Sequence, residues 1–400
     1  MTTTTKAVLH TFAAGAALAA GLMAGTAVAE DKVLKIGVLG VMSGPSASWG
    51  LVNKYSAETT AQMYNEKGGA KIGNDTYKIQ LVSIDEKADP KLAISGAERL
   101  TRQEGIKYII GPNVDTSAAS IKPVMEATGA INFPYAFSKE LYVPPASNSI
   151  LGMVASYQAA PIIYRYMMKI KGAKSVSFVT RNEADPLNQR TEDLKAAKEV
   201  GLQIVSSGDT YEPGTTDFFP VMSKVVKSKA DLIVLVGVAP ADAPLLIKSA
   251  RELGYKGQIS TETAQDAKVL REVAGNRADG FVSVGGASTP QIRSAYMEEF
   301  IKRYTKIAGE WNDEAGTKAY ALEMIIATLQ KNPKAINDVG EFKKAIPNFS
   351  MTNPFLKDRT TLKYVGKKYF DQQRQIGVPV VVTEYRKGGF QTLFVGEVAD

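Results

Sequence analysis

Short apolar runs alternate along the first part of the chain with longer segments whose apolar residues recur every three or four positions. Runs rich in Val, Ile and Leu are typical of buried strands, and the longer segments are typical of amphipathic helices. The predicted strands are 34–41, 77–84, 107–110 and 130–133, and the predicted helices are 52–67, 90–103 and 116–128, the last bent or interrupted at Pro123. This alternation predicts a parallel sheet covered by helices on both faces.

The same alternation restarts after about residue 155. Strands are predicted at 175–180, 203–206, 232–238 and 258–260, and helices at 157–169, 187–200, 217–228, 241–253 and 266–273. Two runs of such units, in a chain longer than one core usually fills, predict two lobes. We therefore predict an α/β fold with two doubly wound parallel-sheet lobes.

The pattern changes from residue 281 onward. Helices are predicted at 291–307 and 313–330, and strands at 281–284, 362–364, 378–385 and 390–395. We expect this region to cross between the lobes and complete both sheets. The predicted division gives residues 30–154 plus 281–335 to the first lobe and residues 155–280 plus 336–400 to the second.

The first residues have the pattern of an export signal. Lys6 precedes an apolar, alanine-rich run at 12–28, and the small residues Ala27 and Ala29 form a cleavage site. A membrane anchor is the alternative, but the run is short of the roughly 20 strongly apolar residues that a span needs. The chain has no cysteine to carry a lipid. We predict a signal peptide at 1–29, cleaved after Ala29, and a mature protein free in the periplasm.

The composition excludes most catalytic chemistry. The only histidine, His10, lies within the predicted signal, and there is no cysteine. A histidine general base, a Ser-His-Asp triad, a cysteine nucleophile and an ordinary zinc site are therefore excluded in the mature protein. The formal charge of +7 is mild, and no basic stripe carries stacked aromatics, so we expect no nucleic acid partner. We predict a monomeric binding protein, not an enzyme, with no catalytic residue, no cofactor and no metal.

Several short motifs follow one another in a recognisable order. The glycines at 37, 40 and 44 do not form the G-x-G-x-x-G fingerprint of a dinucleotide site. The motifs are Ser-Gly-Pro at 43–45 with Trp-Gly at 49–50, Asn65 followed by Gly-Gly at 68–69, Asp-Pro at 89–90, Gly-Ile-Lys-Tyr-Ile-Ile-Gly-Pro at 105–112 and Ala-Arg-Glu-Leu-Gly at 250–254. In this order and spacing, nearly the whole mature chain resembles the leucine/isoleucine/valine-binding family of periplasmic receptors.

The resemblance implies a type I periplasmic binding protein, in which three crossovers join two doubly wound lobes and the ligand lies in the cleft. Open α/β sheets bind ligands outside the carboxyl ends of their strands, which agrees with this placement. The implied function is a solute-binding receptor that delivers a small-molecule ligand to the membrane permease of an ABC transporter. A sensory receptor for a signalling system would have the same fold and site, and stays open as an alternative.

In the first lobe, the resemblance implies three groups of ligand contacts. Trp49 stands where the family places an aromatic side chain over the ligand. The loop after the strand at 107–110 would hold a carboxylate through hydroxyl and backbone N–H groups at a helix start, unless Asp115 or Thr116 only caps the helix. The aromatic residues of the next loop line a pocket or pack at the lobe edge. The predicted contacts in these two loops are Asn113, Asp115, Thr116, Ser117, Tyr135, Ala136, Phe137 and Ser138.

In the second lobe, the sequence departs from the family. The tyrosine and glutamate that hold the ammonium of amino acids are matched by Val238 and Thr263, with Glu262 adjacent. Arg181 favours a second anionic or carbonyl group, or forms a surface salt bridge, and Asp185 follows in the same loop. We expect a small organic carboxylate, aromatic or aliphatic, or an amino acid-like ligand, rather than a standard branched-chain amino acid. Hydrophobic amino acid binding proper is the alternative.

Overall fold

The computed structural model describes residues 32–44, 46–398 and 400, so the predicted signal peptide at 1–29 lies outside the described residues. The first sheet and its helices are formed by β1 (Lys32–Gly40), α1 (Ala47–Glu66), β2 (Ala70–Ile72), β3 (Asp75–Asp85), α2 (Pro90–Glu98), β4 (Tyr108–Ile110), α3 (Asp115–Thr128) and β5 (Ile131–Phe133). The strand order is β2-β3-β1-β4-β5, and all pairs are parallel except the β2–β3 hairpin.

The next elements form most of the second lobe. They are α4 (Ser156–Lys169), β6 (Ser175–Arg181), α5 (Ala184–Val200), β7 (Gln203–Tyr211), α6 (Phe219–Lys227), β8 (Leu232–Val236), α7 (Ala243–Glu252), β9 (Gln258–Ala264), α8 (Ala267–Val273) and β10 (Val282–Gly285). The apolar run of β8 is buried at every position. A strand buried along its whole length lies at the centre of a sheet covered on both faces, as the continuous apolar pattern predicts.

The C-terminal region contains the remaining elements. They are α9 (Ala295–Ala308), α10 (Ala315–Lys318), α11 (Tyr320–Lys331), α12 (Val339–Ala345), β11 (Ser350–Thr352), β12 (Thr361–Val365), α13 (Lys367–Phe370), β13 (Gln375–Ile376), β14 (Val380–Arg386) and β15 (Gly389–Gly396). Strands β14 and β15 complete the second sheet, whose order is β15-β14-β10-β9-β8-β6-β7. The chain passes between the lobes three times, after β5, after β10 and after β13.

The predicted lobe boundaries differ from the sheets in two places. Strand β10, predicted in the first lobe, pairs with β9 and β14 of the second sheet. The region of α12 and β11–β13, predicted in the second lobe, packs on the first: the Phe342 ring lies 4.9 Å from that of Tyr108. The expected completion of both sheets is therefore wrong for the first, because β11, β12 and β13 pair with one another in a separate small sheet.

Helix α3 continues through Pro123 instead of breaking there. Proline removes the hydrogen bond to the carbonyl four residues earlier. That carbonyl belongs to Ala119, which is exposed, so water can replace the missing N–H. Over the described ranges, no helix combines the length and apolar character needed to cross a membrane.

Candidate ligand-binding site

A cavity of about 290 Å³ lies between the two lobes. This volume lies just below the usual range for ligand sites, which is about 300–1,000 Å³, and so suits a small ligand. The walls come from loops and helix starts that follow strands of both sheets, where open α/β folds place their ligands. The lining residues include Ser46, Trp49, Asn113, Thr116, Tyr135, Phe137 and Met153, then Glu183, Asp185, Pro186, Gln189, Gly237 and Thr263, and finally Glu314 and Lys318.

Seven of the thirteen residues predicted as ligand contacts line this cavity: Trp49, Asn113, Thr116, Tyr135, Phe137, Asp185 and Thr263. Trp49 is placed by the close approach of α1 to the end of β1, where a Cβ on Gly50 would lie 2.1 Å from the Val41 carbonyl oxygen. Only glycine allows this approach, which places Trp49, in the first turn of α1, directly beside the cleft. The structure thus brings together the predicted aromatic residues of the first lobe.

Four other predicted residues of the first lobe do not line the cavity, and two of them, Asp115 and Ser117, lie at the start of α3. The Asp115 carboxylate accepts hydrogen bonds from the N–H groups of Phe137 and Ser138, at 2.6 and 3.0 Å, and so fixes the loop after β5. Ser117 is buried, and its hydroxyl donates to the Glu86 carboxylate at 2.7 Å. Neither Asp115 nor Thr116 is the capping residue of α3, because Val114 precedes the first helical residue.

The last two predicted residues of this loop are Ala136 and Ser138. The Ala136 carbonyl accepts a hydrogen bond from the Tyr142 hydroxyl at 2.6 Å, and its side chain is buried in the core of the first lobe. The Ser138 hydroxyl donates to Glu140 at 2.5 Å. Both residues therefore fix the shape of the loop that carries Tyr135 and Phe137.

Arg181, also predicted as a ligand contact, does not line the cavity. Its guanidinium is buried, with Nε 2.8 Å from a Glu183 oxygen and Nη1 3.9 Å from an Asp242 oxygen. It also lies 5.6 Å from the ring centre of Trp49. Two carboxylates therefore oppose its charge, and Arg181 supports Trp49 and Glu183 from behind the cavity.

Glu262, the carboxylate next to the position where the family holds an ammonium group, faces away from the cavity. Side chains alternate across strand β9, so Thr263 lines the cavity while Glu262 points into the lobe, beside Asp193 and Tyr164. Burial raises the pKa of Glu262 to about 7. Val238 is packed in the core of the second lobe, and the neighbouring Gly237 lines the cavity instead.

A cross-lobe hydrogen bond at the edge of the cavity brings two aspartate residues together. The Asp115 N–H, at the start of α3, donates to Asp185 Oδ2 of the second lobe at 2.8 Å. Burial and, second, the charge of Asp115 raise the pKa of Asp185 to about 7, and burial also raises the pKa of Asp115. The start of α3, predicted to hold the carboxylate of the ligand, thus holds the carboxyl group of Asp185 in this structure.

Sequence reasoning missed a charged pair in the cavity wall, Glu314 and Lys318. Both side chains are buried, and Lys318 Nζ lies 3.6 Å from Glu314 Oε1 and 4.2 Å from the centre of the Tyr135 ring. Burial raises the pKa of Glu314 to about 7 and lowers the pKa of Lys318. Their spacing of four residues, just before the apolar run of α11, places both on one helix face and is the signal that could have revealed them.

The protein resembles known transport receptors in sequence. A model of the periplasmic binding protein family matches residues 33–389. The Leu/Ile/Val-binding protein of Escherichia coli is 28% identical over 277 residues, which are 67% of this chain and 72% of that protein. The leucine-specific-binding protein of Salmonella typhimurium is 25% identical over 261 residues, which are 64% of this chain and 67% of that protein.

Solved structures have the same fold at lower identity, which confirms the predicted fold class. A branched-chain amino acid transporter substrate-binding protein from Streptococcus pneumoniae, in complex with isoleucine, has a TM-score of 0.75 at 19% identity and covers 92% of this chain and 99% of its own. A solute-binding protein of an ABC transporter from R. palustris, in complex with 4-hydroxybenzoate, has a TM-score of 0.74 at 20% identity and covers 92% and 98%. Because the family model spans most of the sequence, this chain belongs to the periplasmic binding protein family.

Proposed function

We propose that this protein is the periplasmic solute-binding receptor of an ABC importer and carries a small organic carboxylate, in the first place an aromatic one. The cavity that both lobes enclose, with aromatic rings and one lysine in its wall, is the observation that carries this proposal. A site with an apolar body and few polar groups suits a small ligand with one charged end. The protein would bind this ligand and release it unchanged, as a monomer.

The aromatic residues favour a flat, apolar ligand body. Trp49, in the first turn of α1, lines the same cavity as Tyr135 and Phe137, which both belong to the loop after β5. Aromatic rings pack well against other rings in offset or edge-to-face arrangements. Among the solved structures with this fold, proteins from R. palustris are in complex with 4-hydroxybenzoate and benzoate, which supports the same ligand class here.

Transport requires that ligand binding be coupled to closure of the lobes. Contacts that already bridge the cleft include the Asp115–Asp185 hydrogen bond, the Arg181–Trp49 cation–π contact and an ion pair of 2.7 Å between Lys139 and Glu192. A ligand between the lobes adds contacts to both walls and so favours the closed state. The closed lobes would then dock on the membrane permease. Export through the signal peptide at 1–29, with cleavage after Ala29, would bring the protein to the periplasm.

A hydrophobic amino acid is the second candidate ligand. The curated relatives are named for leucine, isoleucine and valine, and Lys318 and Glu314 could receive a carboxylate and an ammonium. The second lobe argues against it, because Glu262 points away from the cavity and the Val238 side chain lies in the core. We therefore place organic acids before amino acids.

Mass spectrometry of ligand that co-purifies with the mature protein, followed by a thermal-shift screen, tests this proposal. The screen compares benzoate, 4-hydroxybenzoate and short aliphatic acids with leucine, isoleucine and valine. We expect an acid to raise the unfolding temperature the most, since a ligand stabilises the state that binds it. Strong stabilisation by leucine or valine, with none from any acid, would contradict it. N-terminal sequencing of the exported protein should begin at Glu30.

A further inference from the structure

We propose that Lys318 binds the carboxylate of the ligand and thereby selects acids over neutral analogues. This assignment rests on the proposed function, because it takes the ligand to be a small organic acid bound in the cavity. A residue with this role must lie in the cavity wall and keep donor capacity that the protein does not use. It must also be free of competition from other cations around the ligand.

The ammonium group of Lys318 has weak partners within the protein. Its Nζ donates to the thioether sulfur of Met153 at 3.1 Å and lies over the Tyr135 ring, while the nearest carboxylate oxygen, of Glu314, is 3.6 Å away. An ammonium can donate three hydrogen bonds, and a thioether is a weak acceptor. Lys318 therefore keeps donors that a ligand oxygen in the cavity can accept.

Glu314 does not cancel this capacity. Its carboxyl is buried and its Oε2 has no hydrogen-bond partner among the described residues. With its pKa raised to about 7 by burial, Glu314 is protonated in part near neutral pH. A protonated Glu314 donates a hydrogen bond, so the pair can receive one carboxylate without a second unpaired negative charge.

The other cations near the cleft are already paired. Arg181 lies behind the cavity wall with Glu183 and Asp242 close to its guanidinium. Lys139 lies 4.6 Å from the centre of the Tyr157 ring, much as Lys318 does over Tyr135, but it forms an ion pair with Glu192 and does not line the cavity. Of the lysines and arginines in the described parts of the chain, Lys318 alone lines the cavity.

The start of α3, the expected seat of a carboxylate, is a poor competitor. Its first N–H group is bound to the Asp185 carboxylate, and the Asp115 carboxylate belongs to the same turn. Two carboxyl groups at one place repel a third through like charge. The carboxylate of a ligand is therefore favoured beside the positively charged Lys318, away from the start of α3.

Isothermal titration with matched acids and amides tests the assignment. The probes are benzoate with benzamide and butyrate with butyramide, since each pair shares one body and differs in the charge of one group. For the wild type, we expect at least one acid to bind about 10- to 100-fold more tightly than its amide, the range for a hydrogen bond to a charged group. Lys318→Met should remove this preference by weakening the acid alone, and Lys318→Arg should keep part of it.

Lys139→Met is the matched control, because it also removes a lysine that lies over a tyrosine ring at the cleft. It should keep the preference for the acid. If Lys318→Met does not fold, the double variant with Glu314→Gln replaces the pair by neutral groups and gives the same readout. A Lys318 variant that still prefers the acid overturns the assignment and leaves the proposed function intact. A wild type that binds neither acid overturns the proposed function, and the assignment falls with it.

Discussion

The two walls of the cleft differ in chemistry. The first lobe contributes aromatic rings and the Lys318–Glu314 pair, whereas the second contributes carboxyl groups and small residues such as Gly237 and Thr263. The carboxyl groups of the second lobe are engaged by the protein: Glu183 pairs with Arg181, and Asp185 accepts a hydrogen bond from α3. A charged group in a pocket wall therefore need not bind the ligand. We infer that the first wall recognises the ligand, and that the second sets the shape and the closing of the cleft.

Gly237→Ala should disrupt the packing of the second wall and cause the largest loss of stability among these variants. Gly237 has a φ of +59°, and a Cβ there would lie 2.5 Å from Pro186 Cβ, which lines the same cavity. Left-handed backbone costs a non-glycine residue about 1–2 kcal/mol, and overpacking adds about 1–3 kcal/mol. We expect the free energy of unfolding to fall by about 3 kcal/mol in chemical denaturation.

The control for this change is Gly208→Ala in β7. Gly208 has no positive φ, and no atom would lie within 4 Å of a Cβ placed there. We expect this variant to stay within about 1 kcal/mol of the wild type, since alanine fits the native backbone. Equal losses in the two variants would show that Pro186 can move aside and that the second wall is not rigid.

Trp49→Ala should break the first wall by removing its largest aromatic surface. An aromatic anchor in a binding site is worth about 2 kcal/mol or more, which corresponds to about 30-fold in affinity. Isothermal titration with the acid selected in the thermal-shift screen measures this loss. Trp311→Phe is the control, because Trp311 packs against Phe300 and Tyr304 away from the cavity. If Trp49→Ala bound the acid as tightly as the wild type, the Trp49 indole would not contact the ligand.

Much of this architecture could be predicted from the sequence, because strand and helix periodicity is a local property. The βα alternation predicted both sheets, but not the position of β10, whose neighbours β9 and β14 are set by long-range pairing. In the same way, the small sheet of β11, β12 and β13 contains strands too short to show which lobe they join.

The site was less predictable than the fold. Loops after strands indicated Trp49 and Tyr135, because carboxyl ends of parallel strands face the cleft. Lys318 lies in a helix far along the chain, and only the crossover after β10 brings it to the cavity. Arg181 lies outside the cavity lining, and its partner Asp242 comes from another loop, which no local pattern reveals.

Asp185→Asn should sharpen the role of the second wall in closure. With the lobes in contact through the Asp115–Asp185 hydrogen bond, burial raises the pKa of Asp185 to about 7 from the ordinary 3.8, so we expect Asp185 to hold its proton more tightly here than with the lobes apart. Closure is therefore favoured at low pH and weakens as the pH rises through about 7. We expect ligand affinity to fall by up to about tenfold between about pH 6 and about pH 8. The groups that face Asp185 are Asp115 and Glu183, while Glu140 acts on Asp115.

The asparagine variant should flatten this pH dependence, because its amide oxygen can still accept from the Asp115 N–H but binds no proton. Titrations of wild type and variant at matched pH values compare the pH dependence of their ligand affinities. Both proteins contain Glu314, so its contribution cancels in the comparison. An unchanged slope in the variant would assign the pH dependence to the first wall instead.

Glu262→Gln should have the smallest effect and tests the interior behind the second wall. Glu262 is buried beside Asp193, and burial raises its pKa to about 7 from 4.5, so the folded state favours the protonated form. Wild-type stability should therefore decline as the pH rises from about 4.5 through about 7. At about pH 8, the free energy of unfolding of the neutral glutamine variant should be about 1 kcal/mol higher than that of the wild type.

Glu192→Gln is the contrasting variant. Although burial opposes it, Lys139 and Lys195 hold the pKa of Glu192 low, so that variant should gain nothing at high pH. Denaturation at two pH values separates the two outcomes, and a Glu262 variant less stable than the wild type at both would mean that its carboxyl is charged and stabilising in the fold.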